Sequence, residues 1–246
     1  MAFGLVSGSP VLRNELLVAL PPDEIERLRP HMQHVSLVLN QVLYEVGAPI
    51  EDVYFVQAGL ASVVADTRDN GQVEVGMVGR DGVVGATVLL APEAVVAHRA
   101  FVQVPGHAVR VKAPALREAV EHCPILRDRC LRYIQVLLTQ SAQGAACNAR
   151  HELPERLARW LLMTRDRLDD DDMPLRQEFL AVMLGVRRAG VSVVATTLQS
   201  TGVIRQGRGR ITVLDREGLE EQACNCYRVI EDARRRVMGG GKTRLG

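Results

Sequence analysis

No stretch of the chain approaches the ~18 consecutive apolar residues that a membrane span requires. The opening segment, MAFGLVSGSPVLRNELLVAL, has no basic region followed by a long apolar run. Neither a spanning helix nor a signal peptide is therefore expected, and a cytoplasmic location is. Cysteine is scarce and odd in number: Cys123, Cys130, Cys147, Cys224 and Cys226. That argues against a disulfide framework. Cys224-Asn-Cys226 stands without a second cluster beside it, so it reads as reduced, partly buried thiols, and no metal site is assigned. An N-terminal cysteine cluster that could hold an iron–sulfur centre is also missing. So are a nucleophile elbow, a P-loop and a catalytic acid pair, and His151-Glu152 lacks the second histidine of a zinc helix. No catalytic residue, enzyme activity or cofactor is expected.

A strong charge of either sign is absent too. The net charge is +1, with 47% apolar and 24% charged residues, as in an ordinary globular protein with a real core. A length of 246 residues suits one large or two ordinary domains. The near-neutral total hides an asymmetry. Residues 1–147 carry 12 Lys and Arg against 15 Asp and Glu, a net of −3, whereas residues 148–246 carry 18 against 14, a net of +4. All but one of those 18 cations are arginine, whose planar fork suits phosphates and bases better than lysine does. The excess lies where a nucleic-acid face would need it.

The hydrophobic period divides the chain. Residues 11–29 are helical in pattern, with Asp23-Glu24 suiting the first turn of a second piece after Pro21-Pro22. From Val35 to about Lys112 come short β-branched runs, VSLVL, VLYEV, DVYFVQAG, LASVVADT, QVEVGMVG, RAFVQVPG and HAVRVK. Gly, Asn or Pro separates them, which predicts an all-β barrel or roll. Asp69-Asn70-Gly71 is a hairpin turn by composition. Gly76, Gly79, Gly82 and Gly85 recur every third residue. β-like runs flank them and Gly-x-Gly is lacking, so they read as roll turns and not as a dinucleotide loop.

A short helix runs from Pro114 to Glu121, and a long one from Pro124 to about Asn148. In the long helix Leu131, Ile134, Leu138, Ser141 and Ala145 form an a/d seam fit for a partner helix. A second stripe, Leu126, Cys130, Tyr133 and Leu137, can pack on the roll. Another helix spans His151 to Leu168 with Leu157, Trp160, Leu161 and Leu162 on its apolar face. The acidic run Asp169–Asp172 reads as a solvated loop. In Gln177–Thr196, QEFLAVMLGVRRAGVSVVAT, the apolar residues Leu180, Leu184, Val186, Val191 and Val194 are spaced for two crossed helices, with Gly185 as the C-cap of the first. That is a helix-turn-helix. Residues 202–214 then read as a two-stranded wing with a Gly-Arg-Gly turn, Asp215 caps a helix through Cys224, and the tail after Met238 is expected to be disordered.

A β-roll, a long helix and a winged helix-turn-helix, in that order, resemble the Crp/Fnr family of bacterial transcription regulators from about Leu16 to Tyr227. The most specific segments are ERLARWLL (155–162), the helix-turn-helix and the wing. The resemblance implies an α+β fold with an antiparallel, cyclic-nucleotide-binding-like roll at 1–122, a dimerisation helix at 123–148 and a winged DNA-binding domain at 149–246. It implies a cytoplasmic homodimer that reads a palindromic promoter site in double-stranded DNA and acts on RNA polymerase. At the family's phosphate cradle, Gly85-Ala86 replaces a Gly-Glu pair and His98-Arg99-Ala100 replaces Arg-Ser/Thr-Ala. The carboxylate is gone and the arginine is shifted by one residue, to the other face of a strand. Cyclic-nucleotide binding of the usual kind is therefore not expected. Arg188 matches the family's first base-reading arginine, Ala189 replaces the next glutamate, and Ser192 matches a base-reading serine. Arg187, Arg188 and Ser192 are the expected base contacts, and Gln177, Gly190, Arg205, Arg208 and Arg210 the expected phosphate contacts. The alternative within the same fold is a sensor of a small molecule, haem or thiol redox state whose DNA binding depends on an unidentified effector. His98 and His107 are its haem candidates, and Cys123, Cys130 and Cys147 its thiols.

Overall fold

A computed structural model describes residues 11–67, 71–91, 93 and 95–239. Asp69 and Asn70 of the expected hairpin turn, the first ten residues and the tail from 240 on lie outside the described residues. Asn14 anchors the first described segment. Its Oδ1 accepts from the amides of Leu16 and Leu17 and so caps α1 (Glu15–Val18), while its Nδ2 donates to the carbonyls of Val56 and Gly82. A fully buried cap thus ties the first helix to the roll. The second helix, α2 (Pro22–Leu28), begins on prolines and carries Asp23 and Glu24 in its first turn.

The roll has six antiparallel strands: β1 (Gln33–Leu37), β2 (Val42–Tyr44), β3 (Asp52–Asp66), β4 (Gln72–Val78), β5 (Val83–Val84) and β6 (Arg99–Lys112). Their order is β1-β6-β3-β4, with β2 also on β6 and β5 on β3. Two expectations are corrected here. DVYFVQAG and LASVVADT are one strand, as are RAFVQVPG and HAVRVK. The glycines between these runs instead sit within continuous strands, where register shifts between Val56, Ala58 and Leu60 let the ribbon turn without breaking its ladder. The glycines of GMVGRDGVVG do serve the roll's turns and packing. A Cβ on Gly79 would stand 2.6 Å from Arg167 Cβ, and one on Gly82 would overlap the Tyr133 hydroxyl. Both positions must be small so that later helices can close on the roll.

Those helices are α3 (Ala113–His122), α4 (Pro124–Arg150) and α5 (Leu153–Leu168). The sides of α4 have different neighbours. Leu126, Cys130 and Tyr133 enter the roll's core, and Ile134 goes with them at 5% exposure. Ile134 therefore leaves the seam expected from the sequence. Ser141 stands at its border, where its hydroxyl donates to the carbonyl of Val75 at 2.6 Å. Leu131, Leu138 and Ala145 remain exposed, with Ala142 between them. A further side is covered by α9 (Cys226–Met238), a helix the sequence reading left out. It runs antiparallel to α4: Gln143 reaches Cys226 at one end, and Arg132 reaches the carbonyl of Val237 at the other.

The C-terminal half continues with β7 (Asp172–Met173), α6 (Gln177–Leu184), α7 (Arg188–Ser200), β8 (Ile204–Gly207), β9 (Arg210–Val213) and α8 (Arg216–Gln222). The acidic run is not simply a solvated loop. Asp169 takes the left-handed C-cap of α5, Asp171 pairs with Arg165 at 2.7 Å, and Asp172 joins β7 on the wing. Leu157, Trp160, Leu161 and Leu162 of α5 face a second core, which also contains Leu60, Val64, Met77, Phe101 and Val104 of the roll.

Candidate DNA-binding face

Helices α6 and α7 meet at 106°. Gly185 makes the turn at φ +64°, a conformation glycine enters without steric cost, and the Val186 amide reaches back to the carbonyl of Ala181. Leu180, Ala181, Leu184, Val191 and Val194 are buried between and behind the two helices. The apolar spacing of this segment therefore fixes the crossing, and the crossing leaves the start of α7 outside.

Arg187 is the N-cap of α7 and Arg188 its first residue, and both are exposed. Arg188 Nη1 lies 3.0 Å from Glu178 Oε1 on α6. Sequence reasoning missed Glu178. Its partner is ten residues away across the turn, beyond the reach of any one-helix pairing rule. The pair is more than half exposed on both sides, and such pairs are worth about 0–1 kcal/mol, so Arg188 can exchange it for a base. Ser192 is half-buried on the same helix, while Val193 is 68% exposed. Gly190 is half-buried near Leu153.

The wing stands beside them. Arg205, Arg208 and Arg210 are all exposed. Arg210 is already engaged at 2.6 Å by Asp172, whose carboxyl it holds below the usual range. Gln177 donates to Gln206 at 3.0 Å, and Gln199 accepts the Gln206 amide at 2.7 Å, so the wing is fastened to both helices. Between α7 and the wing lies a cleft of about 630 Å³ lined by Arg176, Arg188, Arg208 and Arg210 among others. Arg176 was not anticipated: it lies one residue before the helical pattern and carries no periodic signal.

The expected effector positions separate. Gly85 adopts φ +88°, and Ala86 and Ala100 are buried in the apolar core of the roll. Arg99 points the other way. Its guanidinium lies 5.5 Å from the Phe101 ring and lines a groove of about 270 Å³ with Phe179, Val182 and Met183 of the C-terminal half. His98 and His107 are exposed. Cys123 and Cys130 are buried, and burial pushes both thiols up, that of Cys130 to about 12, which is the reverse of what a reactive thiol needs. Cys147 differs. With His151, Cys224 and Cys226 it forms a group whose ligand atoms all lie within 4.8 Å of one another. The absence of a metal-ligand cluster, expected from the sequence, is thereby corrected. The missing half of Cys224-Asn-Cys226 is Cys147-x3-His151, more than seventy residues away.

Sheet, long helix and winged head define a two-part DNA-binding regulator. A Crp-like helix-turn-helix domain model matches residues 155–222, and a cyclic nucleotide-binding domain model matches residues 34–123. No curated protein sequence matches the chain. Among solved structures, FixK2 from Bradyrhizobium japonicum is 19% identical with a TM-score of 0.68, covering 78% of this chain and 98% of its own. The c-di-GMP-responsive global regulator CLP from Xanthomonas campestris is 18% identical at 0.63, covering 78% and 99%. A CRP-family transcriptional regulator from Thermus thermophilus is 21% identical at 0.62, covering 77% and 96%. The chain belongs to the Crp/Fnr family and is a DNA-binding transcription regulator. Among the described residues no single helix is long and apolar enough to cross a membrane.

Proposed function

We propose that the protein is a cytoplasmic homodimer that reads a palindromic promoter site and acts on RNA polymerase, with no enzymatic activity of its own. The observation that carries this reading is the exposed Arg187-Arg188 start of α7 beside a wing of three arginines. Two such heads related by a two-fold axis would address half-sites about one turn of DNA, ~34 Å, apart. The division into sensory roll (1–122), dimer helix (123–148) and DNA head (149–246) belongs to the same proposal. Within it, Leu131, Leu138 and Ala145 are the face of α4 that a second copy would cover, since the other sides are occupied by the roll and α9. Arg188 reads a guanine and Ser192 a neighbouring base. Arg187 takes a base or phosphate. Gln177, Gly190, Arg205, Arg208 and Arg210 hold phosphates and set the salt dependence. Any effector is not a cyclic nucleotide seated in the usual cradle, because Ala86 supplies no carboxylate and Arg99 faces out of the roll.

The test is fluorescence anisotropy of the full-length protein on duplexes selected from a random pool, run as a salt series. Arg188→Ala is expected to lose about 1–3 kcal/mol of discrimination at one base pair per half-site, roughly 5- to 150-fold, with little change in salt slope. Weak, sequence-blind binding that is equally steep in salt for both proteins would refute the base-reading role. Micromolar affinity for cyclic AMP or cyclic GMP by calorimetry would refute the statement about the cradle.

A further inference from the structure

We infer that Cys147, His151, Cys224 and Cys226 form a Cys3His zinc site that fastens the junction of α4 and α5 to the start of α9. The inference does not depend on what the protein does to DNA.

Cys147 and His151 are four residues apart, on one face of the last turn of α4, and the His151 amide closes that turn on the carbonyl of Cys147 at 3.0 Å. Cys224 and Cys226 flank Asn225 at the corner between α8 and α9. The two halves meet as two pairs: Cys147 Sγ is 3.4 Å from Cys224 Sγ, and Cys226 Sγ is 3.4 Å from His151 Nδ1. A tetrahedral zinc with Zn–S of about 2.3 Å and Zn–N of about 2.0–2.1 Å spaces its ligands by roughly 3.5–3.8 Å. The two close pairs stand slightly inside that spacing, and the others, all within 4.8 Å, need to close by about 1 Å at most. Four ligands from the protein close such a site, as structural zinc requires and catalytic zinc does not.

Two observations beyond the ligands agree. The Gln143 side chain donates to Cys226 Sγ at 3.0 Å, the kind of N–H contact that orients and stabilises a metal-bound thiolate. Next to the group, Arg156 and Arg159 each leave a buried Nε without a partner. Both are close enough to interact electrostatically with Cys147. Three thiolates and one Zn²⁺ sum to −1, a negative charge that would stand beside these two guanidiniums. Loading is an exchange without redox change: the aqua ion gives up its waters, three thiols release three protons to solvent, and neutral His151 supplies a nitrogen lone pair. The ligands sit on both sides of the joint between the long helix and the head, so the metal would act as a pin at that joint.

The experiment uses the full chain purified under reducing, anaerobic conditions without chelator. One zinc per chain is expected by mass spectrometry. After chelation, titration with Co²⁺ is expected to give an intense tetrahedral spectrum with a sulfur-to-cobalt charge-transfer band. Cys224→Ser should abolish the charge-transfer band or shift it with loss of affinity, and Gln143→Ala should weaken metal binding about 10- to 100-fold. Because those variants could fold poorly, the wild type alone provides a second readout. Trypsin should cut after Arg150 faster in the chelated protein than in the zinc-loaded one. A reduced, folded protein that takes up neither Zn²⁺ nor Co²⁺ would overturn the assignment. So would iron with inorganic sulfide in place of zinc, or a native Cys147–Cys224 disulfide that leaves Cys226 and His151 free.

Discussion

The two hydrophobic cores of the molecule are built on different terms. The core of the roll is closed by its own strands together with α1 to α4: Phe55, Val84, Ala100, Val111, Leu116 and Tyr133 are all within it. The core of the C-terminal half is not self-contained. Trp160, Leu161, Leu180 and Leu198 are completed by Leu60, Val64, Met77, Phe101 and Val104, which belong to strands of the roll. Phe101 and Phe179 meet across the join with ring centroids 5.9 Å apart. The C-terminal half thus uses the outer face of the roll's sheet as the floor of its own core. Anything that alters the sheet alters the head through packing, with no linker to absorb the change.

The join also carries charge, and the largest expected effect lies there. Arg167 of α5 is buried, with its Nη2 3.3 Å from Asp81 in the turn before β5 and 3.1 Å from Gln140 of α4, and its Nη1 on the carbonyl of Met163 at 3.0 Å. Arg167→Met would keep most of the bulk and leave Asp81 buried and unpaired, at a cost of about 3–5 kcal/mol. For a chain of this size that is a fall in Tm on the order of 10 °C. Calorimetry should also show the roll and the head melting as two separate transitions. A single transition at the wild-type temperature would mean that the two cores are held together by their apolar contacts alone.

The second effect is a pH dependence. Glu74 of β4 is half-buried in the same join, with the Ser62 hydroxyl donating to one oxygen at 2.7 Å and the Trp160 indole N–H donating to the other at 2.8 Å. Burial raises its pKa to about 7, against the lowering influence of those hydrogen bonds and of Arg159 and Arg167. A carboxyl whose folded pKa is raised holds its proton more tightly in the folded state than in the unfolded one. Its contribution to stability is full below the unfolded pKa, near 4.5, and is lost as pH rises through about 7. At ~1.4 kcal/mol per pKa unit the loss amounts to about 3 kcal/mol. Glu74→Gln should remove that slope, so its stability should match the wild type at pH 5 and exceed it at pH 8 in denaturant titrations. Parallel pH profiles for the two proteins would show that Glu74 is already ionised in the fold.

Most of the architecture is legible in the sequence because its determinants are local. The change of period at Lys112, the capped helices and the spacing of Leu180, Leu184, Val191 and Val194 around Gly185 each specify their own segment. What was not legible depends on which segment lies against which. Ile134 and Leu131 are both apolar on one helix, and only the roll's position decides that the first is buried and the second exposed. The helix α9 has an amphipathic pattern that buries Cys226, Tyr227 and Ile230 and carries three consecutive arginines near its end, but that it lies along α4 is decided only by the fold. Glu178, Arg176 and the Cys147–His151 half of the thiol group became site residues by proximity across turns and between distant helices. No spacing rule along the chain measures that.

The smallest effect refines the comparison at the turn of the head. Gly185 holds φ +64°, and a Cβ added there would also stand 3.1 Å from Cγ2 of Val73, on the edge strand of the roll. Gly185→Ala therefore meets two penalties of different origin. The left-handed backbone costs an L-residue about 1–2 kcal/mol wherever it occurs, whereas the contact with Val73 exists only because the head is docked. The single variant should lower Tm by a few degrees. Adding Val73→Ala separates the two, since it relieves the contact and leaves the backbone strain. If the double variant recovers part of the loss beyond the cost of Val73→Ala alone, the roll's edge bears on the turn of the helix-turn-helix in solution. Strict additivity would place the whole penalty in the backbone and leave the turn mechanically independent of the sheet beneath it.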